Sequence, residues 1–241
     1  MAEIIKAHTP NSSVRTENVR FLVLHHTELP DIKSVYNIFE NTTPPVSSHY
    51  LVGRDGSLHQ FVADDVCAHH AGISYWDGVT NLNQTSIGIE LDNDGNEPFT
   101  PDLMQTTIEL CNLLMATHAI KPQDVVAHSD IAYWRKVDPS VYLDWAALAE
   151  YGIGLVSTAQ TNDEILFTHQ HIHSDIIITK HKLGMLGYKI SDIDNNEFCD
   201  KTLALFQAFK RRFVKESYPH NNWDATCSAR LEDLLRIYGK K

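Results

Sequence analysis

Arg-Phe-Leu-Val-Leu-His-His-Thr, at residues 20–27, is the stretch that decides the fold. Four consecutive apolar residues, Phe21 to Leu24, are typical of a strand buried on both faces, as in a layered sheet. Two histidines, His25 and His26, follow this apolar run at once. The stretch therefore predicts an α/β sheet in which polar side chains stand at the carboxyl end of a buried strand.

Strand and helix patterns alternate along the chain after this stretch. Residues 48–53 and 57–62 flank Arg54-Asp55-Gly56, which is a hairpin signal with glycine where a positive φ is needed. Thr100 followed by Pro101 marks the start of a helix that we expect to reach about residue 118. Further strands are predicted at residues 85–91 and 125–128, and further helices after Asp31 and at 145–151. The pattern predicts one α/β domain over residues 1–157.

The pattern changes after Thr161, where only helical periodicity is visible. Helices are predicted at about residues 174–186, 197–213 and 229–238. We therefore expect a small three-helix module at residues 164–241, joined to the first domain by a short linker.

Charge and composition restrict the classes of function. The formal net charge is −11, and residues 1–159 hold 8 Lys and Arg against 20 Asp and Glu. That part lacks the basic patch of a nucleic-acid-binding protein, so no nucleic-acid partner is expected. The four cysteines have no paired spacing, which favours free thiols. No apolar run is long enough for a membrane span. Residues 1–13 are polar and have no apolar signal-peptide core, which fits equally a chain without an export signal and one whose signal has been removed.

Two histidines and two carboxylates fall at or just after predicted strand ends: His25, Glu90, His128 and Asp138. Strand ends of a layered sheet lie along one rim, so these side chains can converge. Two imidazoles and a carboxylate would form a three-ligand zinc site with one open position. Glu90 would then be an acid/base and Lys136 a positive charge for an oxyanion. Taken singly, each residue equally fits a hydrogen-bonded strand end or a solvated surface charge.

Five stretches together resemble the type 2 N-acetylmuramoyl-L-alanine amidases. They occur in order and cover most of residues 20–155: Phe-Leu-Val-Leu-His-His-Thr (21–27), Ser-Ser-His-Tyr-Leu-Val (47–52), His-His-Ala-Gly-Ile-Ser (69–74), Asn-Gln-Thr-Ser-Ile-Gly-Ile-Glu-Leu-Asp-Asn (83–93), and Val-Val-Ala-His-Ser-Asp-Ile-Ala (125–132) continuing into Arg-Lys-Val-Asp-Pro (135–139). The resemblance implies a central mixed β-sheet flanked by helices. It also implies zinc-dependent cleavage of the amide bond between N-acetylmuramic acid, or its 1,6-anhydro form, and L-alanine.

The resemblance gives roles to individual residues. His25, His128 and Asp138 match the zinc ligands, Glu90 matches the catalytic acid/base, and Lys136 matches the residue facing the oxyanion. It also implies that His70 lies on the cleft wall, where it would contact substrate. Asn83 is expected to bind substrate too, and Trp76 is expected to stack on sugar, although packing is the alternative for this aromatic residue. The expected partners are peptidoglycan and soluble muropeptides.

Several alternatives stay open from sequence. A non-catalytic peptidoglycan recognition module has the same fold, but such binders lose a zinc ligand, whereas all three positions are filled here. A zinc amidase for another acyl-amino acid is a second alternative. The module at 164–241 resembles the peptidoglycan-binding helices of AmiD-type enzymes, although a purely stabilising appendage fits equally. We expect a monomer, located in the periplasm or cell envelope, with the cytoplasm as the alternative compartment; the sequence determines neither the compartment nor the oligomeric state.

Overall fold

The computed structural model describes residues 3–162 and 164–238. The chain divides into two compact units, and neither is continuous in sequence. The first contains residues 1–74, 81–128 and 138–154, and the second contains residues 75–80, 129–137 and 155–241. Within the described ranges, no helix has the length and apolar character that a membrane span requires.

The described residues of the first unit form eight strands, three α-helices and one 3-10 helix, Pro122–Asp124. The strands are β1 (Ile4–Lys6), β2 (Ser12–Val14), β3 (Phe21–His26), β4 (Tyr50–Val52), β5 (Leu58–Gln60), β6 (Val66–Ala68), β9 (Ser86–Leu91) and β10 (Val125–Ala127). The helices are α1 (Ile32–Glu40), α2 (Pro101–His118) and α4 (Trp145–Glu150). Asp31 caps α1 by accepting from the Ser34 backbone N–H, and Thr100 caps α2 by accepting from that of Leu103.

Six of these strands form one mixed sheet in the order β1-β5-β4-β9-β3-β10. The predicted hairpin is present as the antiparallel pair β4 and β5, and every other neighbouring pair is parallel. Strands β2 and β6 form a separate antiparallel pair. The central mixed sheet with flanking helices is therefore confirmed.

Successive side chains of each strand point to opposite faces of the sheet. One face packs against α2 and α4 through buried apolar side chains such as Leu24 of β3 and Ile89 of β9. Leu51 of β4 points to the other face, where it packs with Val35 and Phe39 of α1. His25 alternates with Leu24, so its side chain leaves the sheet on the face away from α2.

In the part of the second unit that the structure describes there are four strands and four helices. The strands are β7 (Tyr75–Trp76), β8 (Val79–Thr80), β11 (Ile165–Thr168) and β12 (Asn222–Asp224). The helices are α3 (His128–Ile131, of which only His128 belongs to the first unit), α5 (Ser174–Leu186), α6 (Asp200–Phe213) and α7 (Ala225–Tyr238). β7 pairs with β8 and β11 pairs with β12, both antiparallel. The three predicted helices are present, but the prediction of helices alone after Thr161 is wrong at β11 and β12.

An aromatic core holds the second unit together. Trp223 is fully buried, and its ring centroid lies 4.4 Å from that of Phe206 and 5.3 Å from that of Phe209. Two buried lysines, Lys180 and Lys210, tie loops to this core. For example, the Lys210 ammonium donates to the carbonyl oxygens of His220 and Asn222. Such buried charges are tolerated because carbonyl oxygens satisfy them.

The segment at 129–137 is anchored in the second unit by a buried carboxylate. Asp130 accepts a hydrogen bond of 2.7 Å from the Tyr188 hydroxyl, and its other oxygen forms an ion pair with Arg212. The side chains of Asp130 and Arg212 are 0% and 2% exposed. A buried charge pair of this kind is strongly destabilised when one partner is removed, because the other charge is left without compensation.

Candidate metal centre

Three potential metal ligands of the first unit meet at one point. His25 Nδ1 lies 2.9 Å from His128 Nδ1 and 3.2 Å from Asp138 Oδ2, and the last two atoms are 2.9 Å apart. All three side chains are buried, at 2–4% residue exposure. Two imidazole nitrogens and one carboxylate oxygen thus form a compact triangle that can hold a metal ion. The convergence expected from sequence is present in the structure.

Each member of the triangle is placed by the sheet or by the chain that directly follows it. His25 is the next-to-last residue of β3, and His128 directly follows the neighbouring parallel strand β10. Asp138 opens the last segment of the first unit. Burial alone would raise the pKa of the Asp138 carboxyl, but the charges and hydrogen bonds of His128 and His25 hold that pKa well below its ordinary value. The carboxylate is therefore ionised and available as a ligand.

Glu90 leaves the sheet beside this triangle. It lies on β9 directly opposite His25 of β3, and the two strands are parallel and in register at this pair. Register partners on neighbouring strands point to the same face of a sheet. Glu90 and His25 are thus on one face, with the Glu90 residue half-buried.

His70 lies behind His25 rather than on an open wall. Its Nδ1 is 3.0 Å from His25 Nε2, and its Nε2 is 3.1 Å from the Ser86 hydroxyl oxygen. The Ser86 hydroxyl donates to the Leu82 carbonyl, so Ser86 accepts from His70 Nε2–H. His70 Nδ1 then accepts from His25 Nε2–H, and the lone pair of His25 Nδ1 is left facing His128 and Asp138.

The neutral state of His70 follows from its surroundings. It is 7% exposed, and burial, followed by the nearby His25 and His49, lowers its pKa well below the ordinary value. Gly88 makes room for the ring, since a Cβ at that position would lie 2.4 Å from His70 Cγ. This explains why glycine stands between two buried isoleucines in β9. Sequence reasoning singled out His70 but missed its contact with His25 and the role of Ser86.

Asn83 fixes the loop that carries His70. Its side-chain oxygen accepts from the backbone N–H groups of His70 (3.0 Å) and Ala71 (2.7 Å). These bonds place Asn83 as a support for His70, while the expected contacts of Asn83 and His70 with substrate stay predictions.

Two of the residues expected from sequence lie in the second unit. Lys136 is half-buried in the turn after α3, where its backbone N–H donates to the Ala132 carbonyl. Trp76 is 3% exposed, packs edge-on against Tyr188 at 4.9 Å, and leaves no room for a Cβ on Gly187. Its ring packs against protein on these sides, and the expected contact of Trp76 with substrate stays a prediction.

Comparisons of sequence identify related proteins. Residues 15–141 match the family described as N-acetylmuramoyl-L-alanine amidase. The chain is 35% identical over 239 residues to N-acetylmuramoyl-L-alanine amidase AmiD of Escherichia coli K12, covering 92% of this chain and 84% of that protein. It is 32% identical over 147 residues to 1,6-anhydro-N-acetylmuramyl-L-alanine amidase AmpD of Haemophilus influenzae, covering 54% and 80% of the two chains.

Solved structures show the same fold. The complex of E. coli AmiD with anhydro-N-acetylmuramic acid-L-Ala-D-γ-Glu-L-Lys superposes with a TM-score of 0.78 at 31% identity, covering 94% of this chain and 93% of AmiD. AmpDh3 of Pseudomonas aeruginosa, in complex with anhydromuramic pentapeptide, gives a TM-score of 0.73 at 26% identity, covering 93% and 94%. Both matches extend over nearly the whole of each chain.

Proposed function

Since the chain belongs to the N-acetylmuramoyl-L-alanine amidase family, we propose that it uses one zinc ion to hydrolyse the amide bond between N-acetylmuramic acid, or its 1,6-anhydro form, and L-alanine of peptidoglycan stem peptides. The observation that carries this proposal is the triangle of His25, His128 and Asp138. AmiD, which is similar over nearly the whole chain, has been solved with an anhydromuramyl tripeptide as its substrate.

The triangle fits zinc in both chemistry and size. A tetrahedral zinc ion with ligands at about 2.0–2.1 Å needs its ligand atoms about 3.3 Å from one another. The separations of the three atoms here are 2.9–3.2 Å. Neutral imidazole and carboxylate are ordinary zinc ligands, and three protein ligands leave one position for water or substrate. When bound, zinc polarises a carbonyl and lowers the pKa of water.

The chain's own residues provide the remaining chemistry of amide hydrolysis. We assign Glu90 as the group that takes a proton from the attacking water and delivers it to the leaving nitrogen, because it shares a sheet face with His25. His70 and Ser86 hold His25 in the tautomer whose Nδ1 lone pair faces the ligand triangle. Lys136 is assigned to the developing oxyanion from the family resemblance.

Other parts of the proposal carry over the expectations from the sequence. Peptidoglycan and soluble muropeptides are the proposed partners, and the periplasm or cell envelope is the proposed compartment. We retain residues 1–157 and 164–241 as the proposed limits of the catalytic domain and the helical, peptidoglycan-binding-like domain.

Mass spectrometry of muropeptide digests tests the function. Incubation with anhydro-N-acetylmuramyl tetrapeptide should release free tetrapeptide beginning at L-alanine, and a chelator should abolish this release until zinc is restored. A non-catalytic binding module would bind the muropeptide and leave it intact. Release of a different fragment, or full activity in metal-free protein, would contradict the proposal.

A further inference from the structure

We infer that a second binding site, for an acidic sugar chain, lies within the second unit. It is a cavity of about 370 Å³ lined mainly by Tyr133, Trp134, Lys189, Ser191, Asp200 and Lys201. The ligand class is a glycan strand from which stem peptides have been removed. This inference rests on the proposed function for the choice of glycan, and it concerns residues that take no part in the proposed chemistry.

The aromatic side of the cavity is exposed and held in place. Trp134 is 39% exposed, although most large apolar side chains of the described chain are buried. Tyr133 packs edge-on against it, with ring centroids 5.2 Å apart at 82°. The Tyr133 hydroxyl donates a 2.9 Å hydrogen bond to the Lys189 carbonyl, which fixes the Tyr133 ring. A partly exposed indole packed between Tyr133 and Lys189 is suited to the C–H-rich face of a sugar ring, because it loses little side-chain entropy on binding.

The polar side of the cavity selects for negative charge. Lys189 Nζ lies 5.1 Å from the centroid of the Trp134 ring, and Lys201 lines the same cavity. The one lining carboxylate, Asp200, is 2.9 Å from His169. One ammonium group over the indole and a second lysine in the lining therefore match a sugar that carries a carboxylate better than a neutral one.

The proposed reaction creates such a sugar. Water adds across the amide bond, so the stem peptide leaves with a free amino group and the lactyl group of muramic acid keeps a carboxylate. A cleaved strand thus carries one new carboxylate on every muramic acid whose peptide has been removed. With cationic and aromatic groups side by side, the cavity would hold the enzyme on strands that have already been processed.

Binding of peptide-free glycan strands tests this inference without turnover, because the strands have no amide bond of the kind cleaved. Calorimetric titration should give saturable binding to the wild-type chain. Trp134→Ala should weaken it at least about tenfold, as expected for loss of a central aromatic contact. Lys189→Met should also weaken it. Tyr151→Ala and Lys215→Met are matched controls, because both residues are exposed and lie outside the cavity.

Three results would overturn the inference: no binding to the wild-type chain, equal binding by the Trp134→Ala and Tyr151→Ala variants, or equal affinity for chitotetraose. Chitotetraose has N-acetylated sugar rings and no carboxylate. Equal affinity would therefore show that the cavity does not select for an acidic glycan. A separate assay distinguishes failure of the proposed function. The Trp134→Ala variant should keep the wild-type kcat on a soluble anhydromuramyl peptide. If the wild-type chain itself did not hydrolyse that peptide, the proposed function would be contradicted and the glycan-binding result would still stand.

Discussion

His70 holds His25 by a single 3.0 Å hydrogen bond between His70 Nδ1 and His25 Nε2. The bond matters because it leaves His25 Nδ1 as the nitrogen with a lone pair, and that atom faces His128 and Asp138. Orientation of a ligating histidine by a second hydrogen-bonding group is a common property of metal sites. His70 is therefore a positioning residue for the proposed zinc ion, whatever its contact with substrate.

Replacement of His70 by alanine should weaken zinc binding. The expected loss is about 10- to 100-fold in affinity, because His25 loses the acceptor that fixes its ring. Competition with a chromogenic chelator measures the zinc Kd. His69→Ala is the matched control, since His69 is a neighbouring histidine whose ring faces Ser13. An unchanged Kd in the His70 variant would contradict the assigned hydrogen-bond chain.

Replacement of Gly88 by alanine should disturb the same histidine through a steric clash. The new Cβ would lie 2.4 Å from His70 Cγ and 2.6 Å from His70 Nδ1, so the ring must move. Overpacking of a buried site typically destabilises a protein by about 1–3 kcal/mol. We expect a lower midpoint of urea unfolding together with weaker zinc binding.

Gly184→Ala is the comparison for this variant, because its Cβ would meet only Ile190, at 3.2 Å. If Gly88→Ala and Gly184→Ala lowered stability equally and zinc affinity stayed normal, the close approach of Gly88 to His70 would have no functional consequence.

Replacement of Glu90 by glutamine should separate chemistry from metal binding. The amide keeps the shape of the side chain but cannot accept and return a proton at neutral pH. We expect kcat on one defined muropeptide to fall by about 10²- to 10⁴-fold, with zinc content unchanged. Glu97→Gln, which changes an exposed glutamate paired with Arg54, should keep full activity. Loss of zinc from the Glu90 variant would mean that Glu90 is a ligand.

Replacement of Lys136 by alanine tests the proposed oxyanion contact. Loss of a charge needed mainly in the transition state should lower kcat by about 10²- to 10³-fold and leave KM nearly unchanged. Lys33→Ala, at an exposed position of α1, controls for the change in net charge. A normal kcat in the Lys136 variant would mean that this lysine has no role in the reaction.

Local signals made the strands around the candidate metal centre predictable. The apolar run of β3, the Gly-containing turn between β4 and β5, and the Thr100-Pro101 start of α2 each act over a few residues. Short strands such as β2 escaped prediction because all three of its residues are exposed and have no apolar periodicity. Strand β11 was missed for a similar reason, since only Phe167 among its residues is buried.

The candidate metal ligands could be predicted from the sequence, but the residues that position them could not. His25 directly follows an apolar run, and that position is visible in the sequence. The contact of His70 with His25 depends on how a loop folds back over β9, which no local pattern determines. The burial of Trp76 against Tyr188 could not be predicted for the same reason, because these two residues are 112 positions apart in the sequence (188 − 76).

The interleaving of the two units along the chain restricts how this protein can change by recombination. A domain that is continuous in sequence can be exchanged between genes by one crossover, but the second unit includes residues 75–80 and 129–137, which lie between segments of the first unit. A chain cut after residue 157 would keep Asp130 and lose both Tyr188 and Arg212, its buried partners. A new carboxyl-terminal module would therefore have to supply hydrogen-bond donors for that buried carboxylate, in place of the hydroxyl and the guanidinium.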